Sequence, residues 1–143
     1  MLWQPNIKTI NHKEHIFCDW RQKFVRLTPE EWVRQHFLHY LVEDMQYPKA
    51  RIAVEHQIEV GQTAKRCDAV VIGNTLQPLC IIELKAEDVA LTQKVFDQVS
   101  VYNRQLNVQY LIISNGNTTY ACQINENGYT FLKNIPTYNE LTI

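Results

Sequence analysis

Asp68, Glu83 and Lys85 are the residues whose types and spacing suit chemistry. Asp68 lies in the apolar run Lys65 to Ile72, and Glu83 and Lys85 lie two apart in a second run, Leu79 to Lys85. Strand side chains alternate between faces, so Asp68 shares a face with Val70 and Ile72, while Glu83 and Lys85 share the face opposite Ile82 and Leu84. Residues two apart on one face are about 6.5 to 7 Å from each other, so Glu83 and Lys85 can converge on one ligand. Pairing of the two runs across the turn at Gly73-Asn74 brings Asp68 to them. Two carboxylates and a lysine on one sheet edge suit a divalent cation together with a phosphate. The D-x14-E-x-K spacing is weak alone, because a solvated sheet face often produces it. Cys80, Ile81, Ile82 and Leu84 mark the Glu83 strand as central, where charges are rarely tolerated without a partner or an ion.

The elements that must position these groups can be read from local pattern. Thr28-Pro29-Glu30-Glu31 combines an N-cap hydroxyl, a proline at the first helical position and a glutamate three after the cap, which predicts a helix over 29–45. Its apolar stripe centres on Val33, Phe37 and Leu41. With Glu31 taken up by the capping box, Glu30 is expected to face the core. Strands are expected over 52–60, 65–72 and 79–85, with Glu55 either bordering the site or facing solvent. Apolar residues at three- and four-residue intervals predict a helix from Val89 to Leu106, which sets Gln98 and Tyr102 four apart on one face. Val108 to Ile113 reads as a strand buried on both faces, joined by a crossover and parallel to the strand ending at Lys85. Thr119–Ile124 and Tyr129–Leu132 follow as strands. Residues 1–27 lack a clear period, although 15–18 and 23–27 suit a short hairpin.

These elements predict an α/β fold with a mixed central sheet flanked by helices, in the order α-β-β-β-α-β. A chain of 143 residues, 45% hydrophobic and 20% charged, suits one domain, with 1–27 as an N-terminal extension and 28–143 as the core. No apolar run approaches a membrane span, and the first residues lack a signal pattern, so a soluble cytoplasmic protein is expected. Cys18, Cys67, Cys80 and Cys122 show no CxxC pairing and read as buried free thiols. His36 and His39 fall on the polar side of their helix without a third ligand and read as a solvated pair, as do His12 and His15. A net charge of −1 means that any binding of nucleic acid must be local, weak or assisted.

The order of motifs resembles the PD-(D/E)xK nuclease superfamily. More narrowly, five of them together resemble the N-terminal endonuclease domain of type I restriction enzyme R subunits. They are Thr28-Pro29-Glu30-Glu31-Trp32-Val33-Arg34-Gln35, Lys65-Arg66-Cys67-Asp68, Ile82-Glu83-Leu84-Lys85-Ala86, Gln98-x3-Tyr102-Asn103 and Ser114-Asn115-Gly116. Cys67 replaces the proline that names the superfamily. The chain has no Gly-x4-Gly-Lys-Ser/Thr sequence, hence no P-loop ATP site, and so cannot be a complete translocating subunit. The resemblance implies a restriction-endonuclease-like core that hydrolyses DNA phosphodiester bonds. It implies Mg²⁺, with Mn²⁺ as a substitute, held by Asp68, Glu83 and the Leu84 carbonyl. Lys85 would position or deprotonate the attacking water, and Glu30 would orient water or a second ion. Gln98 and Tyr102 would contact DNA or brace the lysine. Lys65 and Arg66 would meet a phosphate or form salt bridges. DNA is the implied partner, with a further protein supplying affinity or specificity. A non-catalytic nucleic-acid-binding or assembly module of the same fold is the alternative, and a dimeric junction resolvase shares the chemistry.

Overall fold

The computed structural model describes residues 1–55, 57–60, 63–126 and 128–143, with the backbone alone for 57–60, 63–66 and 102–105. A six-stranded mixed sheet forms its centre. Its strands are β4 (Ile52–Val54), β7 (Ala69–Ile72), β8 (Pro78–Leu84), β9 (Tyr110–Ser114), β10 (Thr119–Asn125) and β11 (Gly128–Leu132), in the spatial order β11-β10-β9-β8-β7-β4. Only the β8–β9 pair is parallel within this sheet, as the crossover predicts. Helix α1 (Pro29–Glu43) covers one face, with Val33, Phe37, Leu38 and Leu41 packed among Ala69, Val71, Ile82, Leu84 and Ile112. Helix α2 (Gln93–Leu106) covers the other, with Val95, Phe96 and Val99 among Val70, Ile81, Leu111, Ile113 and Cys122. Burial on both faces explains why β8 and β9 read as continuous apolar runs rather than alternating ones.

Several boundaries differ from the sequence reading, and each difference has a local cause. The run 52–60 is not one strand: Glu55 adopts φ 56°, and the chain leaves β4 to form a separate two-stranded sheet, β5 (Gln57–Val60) with β6 (Thr63–Arg66). The run 65–72 breaks in the same way at Cys67-Asp68, between β6 and β7. Periodicity cannot register such a break, because the apolar pattern continues through it. Helix α2 begins at Gln93, not Val89. Residues 85–92 form a loop held by the Asn115 side-chain amide, which donates to the Val89 carbonyl at 2.9 Å. Asn115 also accepts from the Asn117 and Thr118 amides, so the Asn115-Gly116 turn fixes both its own shape and this loop.

At the N-terminus, β1 (Ile7–Ile10), β2 (Lys13–Cys18) and β3 (Lys23–Arg26) form an antiparallel meander, of which the β2–β3 hairpin was expected and β1 was not. Ahead of it, Trp3 folds back onto α1 and stacks on His39 with ring centroids 4.1 Å apart. His39 is therefore buried, 3.4 Å from Asp19, with its pKa lowered by that burial, and is not half of a solvated pair. A short helix α3 (Tyr138–Leu141) closes the chain behind a full Thr137–Glu140 capping box. The four cysteines are buried, and none of them forms a disulfide.

Candidate active site

The site forms where β7 and β8 meet the start of α1. The register pairs Ala69 with Ile82, so one step further sets Asp68 opposite Glu83. Both residues are buried, at 6% and 5% exposure. The Leu84 amide donates to Asp68 Oδ2 at 2.7 Å and Arg34 Nη2 meets Oδ1 at 2.5 Å, which fixes the carboxylate from two sides. Lys85 Nζ lies 3.8 Å from Glu83 Oε1, and the Lys85 amide donates to the Ser114 carbonyl, continuing the parallel ladder to the end of β9. Asp68, Glu83 and Lys85 are thus brought together as the spacing implied.

Helix α1 contributes a different acid from the one expected inside. Thr28 Oγ1 accepts from the Glu31 amide, but the Glu31 carboxylate does not return the bond. It is buried instead, accepting from Arg21 Nη2 at 2.7 Å, Arg34 Nη1 at 2.6 Å and Gln35 Nε2 at 2.7 Å. Two guanidinium partners hold this carboxylate more strongly than a single backbone amide would. Glu30 is the more exposed, with 45% of its side chain accessible, and stands 3.8 Å from Arg34. It still borders the site: burial raises its pKa, Asp68 and Glu31 raise it further, and Arg34 and Lys85 oppose them.

The breaks at Glu55 and Asp68 act together. The Glu55 amide donates to the Asp68 carbonyl, and the Glu55 carboxylate sits 3.1 Å from Arg21 and 3.8 Å from Arg34. The result is a cluster in which Arg21, Arg34 and Lys85 are interleaved with Glu30, Glu31, Glu55, Asp68 and Glu83. Burial works against the Arg34 charge, but Asp68 and Glu31 outweigh it and keep the guanidinium protonated. Glu83 goes the other way. Burial, then the neighbouring Asp68 charge, hold its carboxyl well above the usual carboxylate range, with Lys85 opposing. Ionised, it leaves Oε2 buried without a hydrogen-bond partner; protonated, it can bond to Asp68.

An unpartnered buried oxygen beside a second fixed carboxylate is a place where a hard cation fits. No cluster of three or more His, Cys, Asp or Glu is poised around one point among the described residues. Two carboxylates with water and phosphate oxygens match Mg²⁺, which dehydrates reluctantly and takes few protein ligands.

The residues matched by the family model described as "Type I restriction enzyme R protein N terminus (HSDR_N)" run from 29 to 136. The chain belongs to this family. Its fold is similar to that of a fragment of a "putative HsdR subunit of a type I restriction enzyme" from Vibrio vulnificus YJ016, with a TM-score of 0.61 at 16% identity. That match covers 81% of this chain and 25% of the other, so the chain spans about a quarter of that relative. A "putative nuclease belonging to DUF820" from Anabaena variabilis ATCC 29413 is similar over 96% of this chain and 84% of its own, with a TM-score of 0.52 at 10% identity. No curated protein matches the chain.

Of the residues expected at the site, Asp68, Glu83 and Lys85 lie together and Glu30 borders them. Gln98 is exposed on α2 and hydrogen-bonds to none of them. The side chains of Lys65, Arg66 and Tyr102 lie outside the described residues. Sequence reasoning missed Arg34, Arg21 and the inward Glu31. The signal for two of them was present: Glu31 and Arg34 are three apart on a helix otherwise committed to apolar contact. Arg21, in the β2–β3 connection, left none.

Proposed function

We propose that this chain is a Mg²⁺-dependent DNA endonuclease domain of the R-protein N-terminal type. The observation that supports this most is the buried cross-strand pair Asp68–Glu83 with Lys85 beside it, at the end of two central strands. Asp68, Glu83 and the Leu84 carbonyl would hold the metal. When bound, it supplies charge for the scissile phosphate and lowers the pKa of a coordinated water. Asp68 enters this role already oriented by the Leu84 amide and Arg34. Lys85, 20% accessible, can reach solvent and a phosphate, while Glu83, ionised when it holds the metal, would keep its ammonium near the reacting atoms. It orients the attacking water or stabilises the pentavalent phosphate. Glu30, at the solvent side, accepts a hydrogen bond from that water. DNA is the substrate, and a protein partner adds affinity that a chain of net charge −1 cannot supply over its whole surface.

The test is cleavage of supercoiled plasmid in Mg²⁺ or Mn²⁺ by the wild type and by Lys85→Ala. Loss of a charge that acts on the transition state is expected to cost at least about 100-fold in rate with the fold retained. No cleavage by the wild type under any divalent ion, or equal cleavage by Lys85→Ala, would leave the chain as a binding module of the same fold.

A further inference from the structure

The N-terminal meander carries a charged surface that the catalytic site does not use. In β2, Ile16 and Cys18 are fully buried, so Lys13, His15 and Phe17 occupy the opposite, outer face. The register sets Lys8 beside His15 and His15 beside Arg26, a row of basic groups across all three strands. On one side of this row Phe17 pairs with Phe24, and on the other Ile10 pairs with Lys13. Side-chain contacts agree: the two phenylalanine rings meet edge to face at 5.3 Å, and the Lys8 ammonium stands 5.6 Å over the Phe24 ring. Lys8, Lys13 and Arg26 are exposed. Among the described residues none of them forms an ion pair. Glu14, the acid within these strands, is exposed but lies on the face of Ile16 and Cys18, opposite the row.

Unpaired cations on an otherwise near-neutral protein concentrate its attraction for anions in one place. Strands lie about 4.8 Å apart, so Lys8 and Arg26 are about 10 Å from each other, with His15 between. That spacing suits a chain of repeated negative charges better than one small anion. The sheet is also tied to the active site. The connection after β2 carries Arg21, which grips Glu31 and Glu55, and β3 ends two residues before Thr28 caps α1.

We propose that the outer face of the β1–β3 sheet, centred on Lys8, His15 and Arg26, binds the phosphate backbone of DNA running from the active site. The choice of DNA as the polyanion rests on the nuclease function proposed above. Lys8, Lys13 and Arg26 meet phosphates, and Phe17 and Phe24 give them an apolar border for sugars.

Fluorescence anisotropy with a short labelled duplex in EDTA, at several salt concentrations, reads this binding without turnover. Lys8→Gln with Arg26→Gln is expected to weaken binding about tenfold at low salt and to reduce the salt slope by about 2. On the unaltered protein, DNA is expected to protect Lys8 and Lys13 from acetylation. Unchanged affinity and slope in the folded double variant, absence of binding by the unaltered protein, or unprotected lysines would each overturn the assignment. So would weaker binding of the variant to anionic lipid vesicles with DNA binding intact. Binding through this face without cleavage in Mg²⁺ would sink the nuclease function and leave the surface standing. Cleavage with DNA affinity unaffected by the double variant would do the reverse.

Discussion

Replacing Glu83 by glutamine should make the protein more resistant to rising pH. The folded state holds a proton on Glu83 through neutrality, because burial and Asp68 both raise its pKa. In the unfolded chain a glutamate loses that proton near pH 4.3. A raised folded pKa gives stability that is fully present below the unfolded value and lost as pH climbs toward the folded one. Over that window the wild type loses up to about 1.36 kcal/mol per pH unit relative to Glu83→Gln, whose amide does not titrate. From pH 5 to pH 7 the ceiling is about 2.7 kcal/mol, and coupling to Asp68 brings the expectation to about 2 kcal/mol. At about 3 °C per kcal/mol, the gap in Tm between variant and wild type should widen by about 6 °C. Thermal unfolding of both proteins in EDTA measures it, since titrations not coupled to Glu83 are common to the two and cancel. Adding Mg²⁺ at about 100 times its Kd should then raise wild-type stability by about 2.7 kcal/mol and leave Glu83→Gln nearly unmoved. Parallel Tm curves from pH 5 to pH 7 would refute the protonated-carboxyl argument. An equal response of both proteins to Mg²⁺ would refute Glu83 as a ligand.

Arg34→Ala should cost about 3–5 kcal/mol in urea unfolding, because it strands the buried Asp68 and Glu31 carboxylates without their shared cation. Arg34→Lys, which keeps the charge but not the fork, should recover part of the loss. Thr28→Ala should cost only about 1 kcal/mol by the same measurement, since it removes one N-cap bond at an exposed helix start and leaves the Glu31 carboxylate with its arginine partners. A loss as large as that of Arg34→Ala would mean that the cap also positions Glu31.

The primary structure by itself marked most strands of the central sheet and singled out Asp68, Glu83 and Lys85 as candidates. Apolar runs too continuous for a half-exposed sheet marked β8 and β9, and Glu83 and Lys85 stay together because strand alternation is a local geometric rule, whereas Asp68 reaches them through the β7–β8 register. The proline and hydroxyl before Glu30 likewise placed the start of α1 to the residue. Tertiary structure decided everything that depends on which charges meet. Glu31 rather than Glu30 turned inward because Arg21 and Arg34 arrive from either side, and only the packed chain brings Arg21, ten residues away, to it. His39 lost its solvent to Trp3 from the far end of the chain. The breaks at Glu55 and Asp68 were invisible in the pattern, yet they let a buried carboxylate leave the ladder and accept from Arg34 and the Leu84 amide at once. Hydrophobic periodicity reports burial along one element, whereas a charge cluster is a property of several elements at their meeting point. Which residues could do chemistry was therefore written locally, and what holds them ready was settled by the fold.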